Sequence, residues 1–252
     1  MSALAVVNAE RIKLGTTHSA SSTAVVVALL ALALAGLQGA LSHASAPLDP
    51  QRAALGVAVF GVPVLMVMAS MTVTAEYRTG MVGTTFIAEP KRTLVILAKV
   101  VVTAIFSALF AAALVVMAIA LARIVAATGS AVELSPASPE VWRLSAATAL
   151  YAALASALGV GIGALVRAGP GAVAVLLLWP LLVEPMLGNL PDVGAQVGPY
   201  LPFANVFLFI DVQWLYPVYA MPWGPLGSLV YFAAWVVAVL IAAIAVVNAR
   251  DA

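Results

Sequence analysis

The chain has no cysteine among its 252 residues, which excludes disulfides, thiolate nucleophiles and cysteine metal sites together. Histidine occurs only at His18 and His43, too few and too far apart for a histidine-based metal centre. Charge is scarce too: 8% of residues are charged, where a soluble domain carries about a quarter. No cationic run exceeds the Lys91-Arg92 pair, so nothing here can track a phosphate backbone and nucleic acid is not an expected partner. Lysine stands at 13, 91 and 99, preceded by Ile12, Pro90 and Ala98, so the Gly-Lys-Ser/Thr loop that cradles nucleotide phosphates is missing. No serine has glycine two residues to both sides, which removes the nucleophile-elbow pattern. The chain is therefore not expected to be an enzyme by itself or to bind a cofactor of its own.

What is abundant is apolar surface. Hydrophobic residues make up 64% of the chain and the mean hydropathy is +1.14, so lipid must replace water around most of the exterior. Apolar runs at 23–41, 53–74, 93–122, 144–166, 171–187 and 226–247 are each long enough, or nearly so, to cross about 30 Å of hydrocarbon as a helix. The first exceeds the apolar core of a signal peptide, about 7 to 15 residues, and begins some twenty residues in. The expected fold is all-α: one polytopic transmembrane domain over 1–252 with about six spans.

Cations orient it. Arg11, Lys13, Arg78, Lys91, Arg92, Arg167 and Arg250 fall on one side of these spans, and Arg52, Arg123 and Arg143 on the other, beside Asp49, Glu133, Glu140, Asp192 and Asp211. Loops rich in lysine and arginine stay in the cytoplasm, so both termini are expected there. Lys99, in the first turns of the third span, is expected to snorkel its ammonium back to the same side.

Two loops are long, and they face opposite sides. The inner one, 75–92, mixes charge, hydroxyl and apolar groups and reads as a short helix outside the hydrocarbon, weakened by Gly80 and Gly83. The outer one, 188–225, is rich in proline and glycine yet carries Tyr200, Phe203, Phe207, Phe209, Trp214, Tyr216, Tyr219 and Trp223. Such aromatics belong at a membrane interface, and helices that dip into the outer leaflet and return are expected there. Glu184, between Pro180 and Pro185, is either an intramembrane carboxylate with a cation or proton role or a residue of the hydrated outer loop. Ala155, Gly159 and Gly163 form a small-residue face for close helix packing, within one subunit or across a dimer.

The order of features resembles the membrane permease of a type 2 ATP-binding-cassette (ABC) transporter, particularly the actinobacterial kind, over essentially the whole chain. One part of the likeness is Ala9-Glu10-Arg11-Ile12-Lys13-Leu14 followed by Thr16-Thr17-His18-Ser19. The most specific part is Thr74-Ala75-Glu76-Tyr77-Arg78-Thr79-Gly80-Met81 with Thr84-Thr85-Phe86, closing on Glu89-Pro90-Lys91-Arg92. A third part is Gly159 to Arg167 with Gly171, and Tyr200-Leu201-Pro202 where the family has re-entrant outer helices. His18 and Gly83 stand where the family pattern has arginine.

The resemblance implies a multi-pass protein of the plasma (inner) membrane, its partners being cytoplasmic ABC ATPase subunits that hold ATP and Mg, and a second copy of itself or a related permease. It implies that the inner loop is a coupling helix docking on the ATPase, with Met81 and Phe86 as apolar anchors and Glu76, Arg78, Lys91 and Arg92 setting register. Transport, in the direction of export, is the implied function. A proton- or ion-coupled carrier using Glu184 and Asp211, or a non-transporting assembly subunit, are the alternatives.

Overall fold

A computed structural model describes residues 2–43, 47–127, 129–212 and 215–249. Trp214 and Arg250, counted above among the outer aromatics and inner cations, lie outside these residues, as does the side chain of His18. Among the described residues every regular element is helical. In chain order they are α1 (Ala3–Thr16), α2 (His18–Ala40), α3 (Pro50–Thr79), α4 (Met81–Ala88) and α5 (Arg92–Val125). Then come α6 (Pro139–Val166), α7 (Gly169–Gly188), α8 (Val193–Tyr200), α9 (Pro202–Ile210) and α10 (Pro225–Ala249). Six of these, α2, α3, α5, α6, α7 and α10, are long and apolar enough to cross a membrane.

Two of the six form the centre. In their most apolar stretches α3 is 72% buried and α6 61%, whereas α2, α5, α7 and α10 are 22–28% buried. The four outer helices turn side chains such as Leu29, Leu109, Leu178 and Ile241 away from the protein, the surface a hydrocarbon solvent would cover. The α3–α6 contact is close because a Cβ on Gly159 would collide with the Met66 carbonyl, and one on Gly163 would stand 2.8 Å from that of Ser70. With Ala155 fully buried one turn earlier, this small-residue face is spent on packing within one chain.

Proline shapes α3 and α7 without ending them. Pro63 and Pro185 have no N–H to return to the carbonyls four residues earlier, and in both helices a π-helical turn, Val57–Gly61 and Trp179–Val183, precedes the proline. Each turn closes on an i to i−5 bond, Val62 to Val57 and Glu184 to Trp179, so the ladder is carried past the break. At the end of α3 a true stop occurs, where Gly80 takes a left-handed φ of 72° and redirects the chain into α4. Glu89, extended ahead of Pro90, ends α4 in turn. Beyond α7, α8 and α9 meet at a 72° bend.

Candidate functional site

The end of the bundle that carries α1 and α4 holds a cluster of four charges. Glu10 and Lys13 come from successive turns of α1, Glu76 from the last turn of α3 and Lys99 from the third turn of α5. The Lys99 ammonium donates to Glu10 Oε2 at 2.8 Å, Glu76 Oε1 at 2.8 Å and the Thr72 carbonyl at 3.0 Å, so its three donors are all used. Lys13 Nζ donates to Glu10 Oε1 and Glu76 Oε1, both at 2.8 Å. Two positive and two negative groups thus share one site with no net charge. Lys99 is 2% exposed, Glu10 6% and Glu76 12%, while Lys13 closes the cluster toward solvent at 40%. Burial works against the Lys13 ammonium, but its bonds to Glu10 and Glu76 and the pull of their charges outweigh that and hold its pKa above the ordinary value.

Lys99 therefore does point back toward the end of the bundle, as its position in the third span predicts, but its ammonium finds carboxylates there instead of water. The partners on different helices lie 23 to 89 positions apart, and no local pattern ties Glu10 and Lys13 to Glu76 and Lys99. A crevice of about 320 Å³ opens beside the cluster, walled by Met68, Met71, Thr103 and the four charged residues.

The segment that follows divides into an inward and an outward set. Phe86 faces the bundle, packed against Val6, Val95 and Ala98, with the Arg92 guanidinium 5.1 Å above its ring. Arg92 also donates to the Val247 carbonyl of α10 at 2.8 Å. Tyr77 lies beneath Arg167 at 4.9 Å, and Glu76 belongs to the ion cluster. The hydroxyls of Thr79 and Thr84 bond back to Ala75 and Met81 carbonyls. Arg78, Thr79, Gly80, Met81, Thr84, Pro90 and Lys91 are exposed, and Thr85 is half-buried. No residue of α4 is fully buried, and Met81 is 51% exposed and Ile87 83%. The large apolar side chains that α4 leaves uncovered are thus Met81 and Ile87. Phe86, expected as an anchor, turns inward because the 100° step between successive helical residues separates it from Ile87.

At the opposite end, Glu184 is fully buried within α7. Its carboxyl accepts from Trp179 Nε1 at 2.7 Å, Phe203 N at 2.9 Å and Ala204 N at 3.3 Å. The last two are first-turn amides of α9, which have no partner inside their own helix, so Glu184 caps α9 from a neighbouring element. Of the two readings left open by the sequence, the hydrated loop is ruled out: the π turn lets α7 run past Pro185, and the residue stays inside protein. Asp211 sits on the surface, half-exposed, accepting from Gln51 at 3.1 Å and Arg143 at 3.4 Å. Removing the carboxyl with Glu184→Ala orphans the buried Phe203 and Ala204 amides and the half-buried Trp179 N–H, each buried donor left unsatisfied costing about 1 to 3 kcal/mol. Loss of at least 3 kcal/mol is expected in denaturant or thermal unfolding in detergent, with protease cuts appearing first between Gly188 and Pro225.

Among the described residues no group of three or more histidine, aspartate or glutamate side chains is placed to hold a metal ion. Comparison with protein-family models finds no match, and comparison with curated proteins finds none either.

Proposed function

We propose that this chain is the permease subunit of an ATP-driven transporter of the type 2 ABC class, an exporter in which a separate cytoplasmic ATPase supplies the power stroke. The observation that carries the reading is α4, a short helix standing off the end of the bundle with Met81 and Ile87 uncovered. Apolar side chains left uncovered on such a helix are the kind a partner surface would bury. Its connections support the same reading. Gly80 joins α4 to α3, residues 89–91 join it to α5, and the Glu10, Lys13, Glu76 and Lys99 cluster clamps α1, α3 and α5 together.

A push on α4 would therefore move three helices as one body, since each keeps its own hydrogen-bond ladder. Closure of nucleotide-bound ATPases, each holding ATP and Mg, would tilt α3 and α5 about the tight α3–α6 contact and change access to a pathway formed with a second copy or a related permease. In this reading both termini are cytoplasmic, the six long helices span the plasma membrane, and α8 and α9 are re-entrant outer helices.

A proton-coupled carrier would need ionisable groups in the middle of the bundle, free to exchange protons. Glu184 is occupied by three donors, and the four-charge cluster lies at helix ends, so the coupled-carrier reading has less support. The test is purification of the intact chain from its own membranes in mild detergent. An ATP-hydrolysing subunit is expected to co-purify in equal number with the permease. A chain that purifies without one, yet carries flux driven by a proton gradient in vesicles, would overturn the proposal.

A further inference from the structure

Between α3 and the first half of α7 lies a groove of about 880 Å³, in the size range of small-molecule sites, roughly 300 to 1,000 Å³. Its apolar lining is Met71, Val173, Ala174, Leu177 and Leu178, the last on the outer surface of α7, and its cationic lining is Arg78 and Arg167. Arg167 ends α6 in the left-handed region at φ 59°, a conformation a non-glycine residue adopts at some cost. This backbone turn lays its guanidinium on Tyr77, at 4.9 Å from the ring. Its Nε is buried without a hydrogen-bond partner.

Among the described residues no carboxylate is left over for these cations. The described acids at this end are Glu10 and Glu76, committed to Lys13 and Lys99, and Glu89, which is 5% exposed and accepts from Lys91 N. Among the described residues neither Arg78 nor Arg167 has a carboxylate within salt-bridge distance. The first turn of α7, at Gly169 and Pro170, also lines the groove and adds the positive end of a helix. Positive potential over an apolar slot is the complement of one chemistry, an anionic headgroup on a hydrocarbon tail. A second copy of this chain fits less well, because its described acids at this end are already engaged.

We propose that this groove binds an anionic phospholipid of the cytoplasmic leaflet, with the phosphate on Arg167 and Arg78 and an acyl chain between α3 and α7. The proposal rests on the membrane-spanning reading but not on the ATPase. Lipid seated here would brace α3 against α7, so its presence would set how easily those helices separate.

Delipidated protein is titrated with phosphatidylglycerol or with phosphatidylcholine of the same tails, and bound lipid is counted by native mass spectrometry. Wild type is expected to retain one phosphatidylglycerol at least tenfold more tightly than phosphatidylcholine. Arg78→Gln and Arg167→Gln should each weaken it about five- to tenfold, on the order of 1 kcal/mol per cation. Ala174→Trp, which fills the exposed apolar wall and keeps both cations, should abolish the preference. Arg78 and Ala174 are exposed, so these two variants keep the test valid if Arg167→Gln fails to fold. Equal binding of the two lipids, or wild-type binding by both Arg78→Gln and Ala174→Trp, would overturn the proposal. So would inorganic phosphate binding as tightly as the lipid, which would make the site one for a free anion.

Discussion

Lys99→Met is expected to cost about 3 to 5 kcal/mol of stability, the range observed when one partner of a buried ion pair is removed. The ammonium of Lys99 lies 2.8 Å from both Glu10 and Glu76. Without it those carboxylates share only Lys13, which stands partly in solvent. Two acids then face each other with one unit of charge uncompensated in a nearly closed site. The paired variant Lys99→Met/Glu76→Gln restores neutrality, leaving Glu10 with Lys13, and should recover most of the loss. Thermal unfolding in detergent measures both. If the single variant unfolds like wild type, the cluster is not holding α1, α3 and α5 together. The pH dependence has a fixed sign as well. Lys13 titrates above its ordinary 10.5 in the folded protein, so its contribution is complete below that value and lost only as pH rises through the higher folded one.

The six long helices were legible because an apolar run is itself the signal for a spanning helix, and the predicted runs sit inside the observed ones except at Leu41, which caps α2. The run at 53–74 is the apolar middle of Pro50–Thr79, and 144–166 is the C-terminal part of Pro139–Val166. Hydropathy marks where hydrocarbon would be, whereas the hydrogen-bond ladder continues until a cap stops it. The stop at Gly80 could be anticipated from its freedom to take positive φ.

Other features were not legible for physical reasons. Helix α1 has no apolar run to announce it; it is held by Val6 against Val95 and Ala98 and by Glu10 against Lys99. The ion cluster joins residues from three elements, and single positions carry no record of which distant charge will meet them. Glu184 was ambiguous because two prolines suggested a broken helix, and only the π turn shows how the chain accommodates them. A short helix within 75–92 was legible and lies at Met81–Ala88, but its faces were not, so Phe86 was expected at the surface with Met81.

That correction determines the second large effect. Burial of one apolar anchor contributes about 1.5 to 3 kcal/mol, so Met81→Asp/Ile87→Asp should weaken ATPase binding by roughly 100-fold or more. Both residues are exposed in the isolated chain, so the double variant should fold and insert normally. Phe86→Ala, by contrast, should lower the stability of the chain itself, because its ring packs inward beneath Arg92. The most direct test of the coupling account is to purify wild type and Met81→Asp/Ile87→Asp side by side from native membranes and measure ATPase retained per permease and ATP turnover in reconstituted vesicles. The account predicts a stoichiometric, active ATPase with wild type and loss of both retention and turnover in the variant. Equal retention and equal turnover in the two would contradict it, because α4 would then not be the surface through which the chain is driven.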